Sequence, residues 1–120
     1  MKIRAKNGEQ TVDITLPATD MDIQYCMKCI GIEDIVPVCC ISEVWDEPSY
    51  FGFLKGQTVS MDELNFLARR LDGMTEYEKR VVGVYSSETG MREMKQLINM
   101  TYSLQGLSLL TALRYGNRVG

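Results

Sequence analysis

The residues that could do chemistry in this chain are few. Histidine is absent from its 120 residues, which removes the commonest general base and the commonest metal ligand. The four cysteines, Cys26, Cys29, Cys39 and Cys40, follow the spacing C-x2-C-x9-C-C. Structural zinc sites usually pair two C-x2-4-C knuckles, and two adjacent cysteines grip one ion awkwardly. Cys26 and Cys29 also fall inside a predicted helix, whereas a thioredoxin-like pair sits at a helix start after a strand. The four therefore read as buried or half-buried structural thiols, with no metal, cofactor or disulfide expected. Two carboxylate pairs, Glu33-Asp34 and Asp46-Glu47, lie beside turn signals. General acid–base work needs one member of such a pair in a buried, perturbed setting, and these positions predict solvent. No phosphate loop, no G-x-G-x-x-G and no G-x-S-x-G elbow is present. The chemistry points away from an enzyme.

The elements that must position these residues are those of an α+β fold. Residues 2–6 and 11–16 alternate apolar and polar around the turn dipeptide Asn7-Gly8, which predicts a hairpin. Thr19 or Asp20 can cap a helix over about residues 19–30, in which Ile23, Met27 and Ile30 share a face and Gly31 supplies the stop. Residues 37–44 read as a strand, and 50–54 read equally as strand or helical turn. From Ser60 onward the chain turns helical. Ser60-Met61-Asp62-Glu63 and Thr75-Glu76-Tyr77-Glu78 both fit a capping box. Leu64, Leu67, Ala68 and Leu71 make one apolar stripe, Tyr77, Val81, Val84 and Tyr85 a second, and Met91, Met94, Leu97, Ile98 and Thr101 a third. All three are expected to face a core. Leu104–Leu113 could be a strand or a fourth helix. The expected architecture is a small N-terminal antiparallel sheet with one helix (residues 1–57), followed by a compact bundle of short antiparallel helices (residues 58–120).

Charge divides the chain the same way. Residues 1–63 carry eleven acids and five bases, residues 64–120 five acids and eight bases, for a total of −3. The window 9–47 holds nine acids against Lys28 alone. Such a field repels nucleic acid and attracts basic surfaces. The bases Arg69, Arg70, Lys79, Arg80, Arg92 and Lys95 fall on the polar helix faces, interspersed with Glu76, Glu78 and Glu93. They read as a solvated surface, not a nucleic-acid site. No apolar run approaches the roughly 20 residues needed to span a bilayer, and no secretory leader is evident. The expected location is the cytoplasm.

The helical half also carries a family resemblance. The stretch Asp62-Glu63-Leu64-Asn65-Phe66-Leu67-Ala68-Arg69-Arg70-Leu71 resembles the ELN-x-LA-x-x-L segment of the ArdA-like antirestriction proteins of conjugative elements, plasmids and phages. Leu16-Pro17-Ala18-Thr19 upstream, and Thr75-Glu76-Tyr77-Glu78 and Met94-Lys95-Gln96-Leu97-Ile98-Asn99-Met100-Thr101-Tyr102 downstream, follow in the order found in that family. The resemblance covers about residues 14–104. It implies a small α/β unit and a helical bundle in a non-catalytic, elongated mimic of B-form DNA. Such a mimic inhibits type I restriction-modification enzymes by occupying their DNA groove. It also implies a third, dimerising domain, for which the chain after its third bundle helix is too short. The window 9–47 is the segment whose charge suits mimicry.

Two functional expectations follow. In the first, Asp13, Asp20, Asp22, Glu33, Asp34, Glu43, Asp46 and Glu47 stand in for phosphates against a protein partner, a type I restriction-modification enzyme. In the second, the chain is an interaction or scaffold module of a mobile element without antirestriction activity. It then uses Trp45, Tyr50, Phe51 and Phe53 against a protein partner or a second copy, as a homodimer. Neither expectation involves direct nucleic-acid or membrane binding.

Overall fold

Alternation in the N-terminal residues produces a hairpin. In the computed structural model, which describes residues 1–45, 51–90 and 93–102, β1 (Lys2–Asn7) pairs antiparallel with β2 (Gln10–Thr15). Gly8 takes the left-handed backbone (φ 63°) that the two-residue turn requires. The ends of the hairpin are tied by Met1 and Leu16, whose backbone groups exchange bonds of 2.7 and 2.8 Å. Next come α1 (Asp20–Cys29), β3 (Val38–Trp45), a 3-10 turn (Gly52–Leu54) and β4 (Thr58–Ser60). The sheet is antiparallel throughout, in the order β2-β1-β3-β4. The helices α2 (Met61–Asp72), α3 (Glu76–Thr89) and α4 (Met94–Tyr102) complete an α+β fold. Among the described residues no helix is long and apolar enough to cross a membrane.

A β-bulge keeps the faces of the sheet distinct. The register of β1 against β3 shifts between Arg4↔Glu43 and Ala5↔Ile41, so Ser42 is the extra residue. Its hydroxyl donates to the Arg4 carbonyl at 3.3 Å. Without the extra residue, Ile41 and Glu43 would point the same way. With it, Ile41 is fully buried while Glu43 and Trp45 stand opposite Arg4 and Lys2 on the other face.

Local signals account for the helix ends. Thr19 accepts from the Asp22 amide at 3.2 Å, and Asp20 and Asp22 sit in the positive first turn of α1. The Asn7 side chain donates to the Ile30 carbonyl at 2.8 Å, tying the hairpin turn to the end of that helix. Ser60 accepts from the Glu63 amide at 3.4 Å, and Thr75 and Glu78 form the full reciprocal box at 3.2 and 3.1 Å.

One cluster of buried residues runs from Ile3 and Ala5 in the sheet, through Ile23 and Met27 of α1, to Leu64 and Leu67 of α2 and Leu97 of α4. Thr58–Ser60, on the helical side of the boundary drawn from sequence, forms the fourth strand. The expected strand at 37–44 and helix at 19–30 are present to within a residue or two. The last described helix starts at Met94, while the stripe expected for it began at Met91; α3 runs on to Thr89, and Gly90 (φ 72°) ends it. Tyr50, Met91 and the segment Leu104–Leu113 lie outside the described residues.

Of one expected stripe only Val81 packs against the core. On α3 the buried positions are Val82, Gly83 and Ser86, while Tyr77, Val84 and Tyr85 remain 52%, 41% and 43% exposed. The helix packs against α4, and its small residues Gly83 and Ser86 are among the buried ones. The Ser86 hydroxyl is satisfied within the turn by the Val82 carbonyl at 2.7 Å. Periodicity reports that a stripe exists, not which side a neighbour covers.

The two halves are joined by a side-chain clamp. Asn65, in the middle of the apolar stripe of α2 and only 3% exposed, accepts from the Ala18 amide at 2.9 Å and donates to the Ala18 carbonyl at 3.0 Å. Arg69, one turn on, also donates to that carbonyl at 3.2 Å. Replacing Asn65 with leucine keeps the branched shape but strands both backbone groups. Asn65→Leu is expected to lower stability by about 2 kcal/mol, measured by urea denaturation. Arg69→Ala, at an exposed position, is expected to cost well under half of that, roughly 0.5 kcal/mol.

Candidate functional site

The acidic residues singled out by sequence divide between two places. Asp13 and Glu43 lie on the outer face of the sheet and are already paired. Arg4 Nε reaches an Asp13 carboxylate oxygen at 2.7 Å, and Lys55 Nζ reaches Glu43 at 2.8 Å. The hydrogen bond from Arg4, reinforced by its charge, holds the Asp13 carboxyl below the usual carboxylate range. Asp20, Asp22, Glu33 and Asp34 belong instead to the first turn of α1 and to the connection that follows it. All four are exposed, and none has an ion pair among the described residues. Asp46 and Glu47 lie outside the described residues.

The aromatic candidates divide as well. Trp45 is exposed on the outer sheet face, with Lys2 Nζ and Arg4 Cζ at 5.4 and 5.0 Å from its ring centroid. Phe53 is half-buried, with its ring 6.0 Å from that of Phe51. Phe51 is 3% exposed and part of the core, so it offers no surface to a partner. Tyr50 lies outside the described residues.

The cysteines do not converge. Cys26 and Cys29 are on α1, and Cys39 and Cys40 are neighbours on β3, where alternation sends them to opposite faces. No group of three potential metal ligands occurs among the described residues. Burial, with a smaller push from Cys40, raises the Cys39 thiol to about 11. Burial also raises the Cys26 thiol, helped by Cys29 and Asp22.

No known protein family, curated protein or solved structure matches this chain. The site must be read from its own geometry.

That geometry puts an open groove of about 300 Å³ between α1 and α2. Ile23, Ile35 and Phe66 supply its apolar lining, and Asp20, Asp62 and Arg69 supply its charge. α1 also exposes Met21 and Tyr25, and the connection after it exposes Val36 and, at 95%, the groove residue Ile35. Exposed apolar side chains and unpaired carboxylates on these two segments suit a protein partner.

Sequence reasoning missed two features here. Asn65 appeared only as one letter of a motif, although a polar residue inside an apolar stripe was itself a signal. Arg70 was assigned to a solvated face. It is half-buried, donates to the Thr101 hydroxyl and carbonyl at 3.2 Å each, and lies 4.0 Å from the Tyr102 ring centroid.

These surroundings predict a graded thiol reactivity. At pH 8 in native protein, an aromatic disulfide reagent is expected to label exposed Cys29 first and Cys39 last. Equal rates at the two sites without denaturant would contradict the burial of Cys39. The sign for stability is also fixed. A thiol raised in the folded state contributes stability that is complete below its ordinary value near 9.0 and is lost as pH climbs toward about 11.

Proposed function

We propose that this chain is a non-catalytic protein-binding module of the antirestriction type. The carboxylates around α1 take the place of phosphates in a basic groove of a type I restriction-modification enzyme. The reading is carried by one observation: Asp20, Asp22, Glu33 and Asp34 are all exposed and all free of ion pairs among the described residues. The resemblance of residues 14–104 to the antirestriction proteins is the other ground for it, and its segments pack together in this fold. Asn65 of the ELN-x-LA stretch holds Ala18 of the Leu16–Thr19 stretch. Arg70 and Phe66 meet Thr101 and Tyr102 of the last stretch.

Charge density limits how the mimicry works. Ten residues of helix span about 15 Å, a length over which a DNA duplex carries about nine charges. Four carboxylates cannot copy that row. They act as anchors alongside the exposed apolar residues Met21, Tyr25, Ile35 and Val36 of the same segments, and electrostatics then govern on-rate and salt dependence. The same exposed apolar residues favour a second reading, a scaffold module of a mobile element without antirestriction activity.

A DNA-cleavage assay with a type I restriction enzyme over a salt series separates the two. Inhibition is expected to weaken as salt rises and to disappear in the variant Asp20→Asn, Asp22→Asn, Glu33→Gln, Asp34→Gln. The variant Asp13→Asn, Glu43→Gln is expected to inhibit much as the native chain does, because those two charges are already neutralised. Absence of inhibition by folded protein at low salt would overturn the antirestriction reading and leave the scaffold reading standing.

A further inference from the structure

The four cysteines form no single cluster, but two of them share the last turn of one helix. Cys26 and Cys29 are three residues apart on α1. That spacing sets two side chains on one helix face with their Cβ atoms roughly 5–6 Å apart. The Cys26 thiol lies within reach of the Cys29 charge. Cys29 is exposed, while Cys26 is half-buried and packs against the edge of the core. A disulfide closes over a Cβ separation of about 3.5–4.5 Å, which is shorter than an intact helix provides. An atom held between the two sulfurs spans the wider gap and leaves the turn in place.

We infer that Cys26 and Cys29 form a two-thiolate site for copper(I). Thiolates are soft ligands and select soft cations, and copper(I) is satisfied by two sulfurs on opposite sides of the ion. A structural zinc site needs four ligands, and among the described residues no group of even three potential ligands comes together. The place on the helix favours the same occupant. The last turn of α1 is the negative end of the helix dipole, which opposes two bare thiolates and favours a cation between them. Binding is an exchange without change of oxidation state: one copper(I) replaces both thiol protons, so two S–H bonds give two S–Cu bonds and two released protons. The inference is independent of the antirestriction reading.

Anaerobic titration of the full chain with copper(I), against a chromogenic copper(I) chelator in an excess that a single thiol cannot overcome, tests the site. The native chain is expected to take one equivalent from the chelator. Cys26→Ser and Cys29→Ser are each expected to lose that capture, and Cys40→Ser, on the sheet, to keep it. The decisive variant combines Lys28→Cys with Cys29→Ala. It keeps two thiols and brings them closer in sequence, but residues two apart on a helix do not face each other, so capture is expected to be lost. Circular dichroism confirms that each variant retains its helices. A native chain that leaves the copper with the chelator would overturn the proposal. So would a Cys29→Ser chain, or a folded chain with the shifted pair, that captures copper as the native chain does.

Discussion

Two halves with different local rules, a period-2 hairpin and a period-3.6 bundle, share one core, and at their junction a buried side chain of the bundle satisfies the backbone beyond the hairpin's end. Asn65 gives Ala18 the donor and the acceptor that a neighbouring strand would have given it. Ala18 lies between the last strand residue of the hairpin and the cap of α1. There the chain has left the ladder and not yet entered the helix, so its backbone groups lack regular partners. Supplied from α2, these bonds tie the bundle to the chain between β2 and α1. The paired hydrogen bonds are directional where apolar burial is not. Arg70 repeats the device one layer out, where its guanidinium ties α2 to Thr101 and Tyr102 of α4.

On the other side of the sheet the deciding constraint is parity. Strand residues alternate without exception unless a residue is inserted, and β3 inserts Ser42. That insertion lets Cys39, Ile41 and Val44 serve the core while Glu43 and Trp45 join Lys2 and Arg4 outside. The outer face is then a lattice of opposite charges around one indole, with Asp13 and Glu43 both within ion-pair distance of a base.

Elements with strong local signals were legible in the sequence: the hairpin, α1, β3 and the starts of α2 and α3. Each has a turn dipeptide, cap or alternation that acts within a few residues. Thr58–Ser60 was not legible, because three residues cannot display a period and their strand state depends on the distant β3. The bulge escaped for the same reason, since an inserted residue leaves no mark until a partner strand counts it. The stripe of α3 was visible but its direction was not. Composition saw Tyr77, Val84 and Tyr85 as the apolar side, yet Gly83 and Ser86 are buried on the opposite one. Of the candidate site, the identity of the acids was legible and their pairing was not.

That last distinction has a structural cause. An acid placed in a strand faces whatever the register sets opposite it, and on an exposed sheet face the favourable neighbour is a cation. Asp13 opposite Arg4 follows this rule. An acid in the first turn of a helix is stabilised by the unpaired amides and the helix dipole and needs no cation. Asp20 and Asp22 are of this kind. They remain free toward solvent because their compensation comes from the backbone behind them. Apart from Glu9 in the hairpin turn, the described acids of the window 9–47, which look uniform in sequence, therefore resolve into a neutralised sheet face and an open field around α1. Only the second is left to attract a basic partner at a distance, and it exists because of where the helix begins.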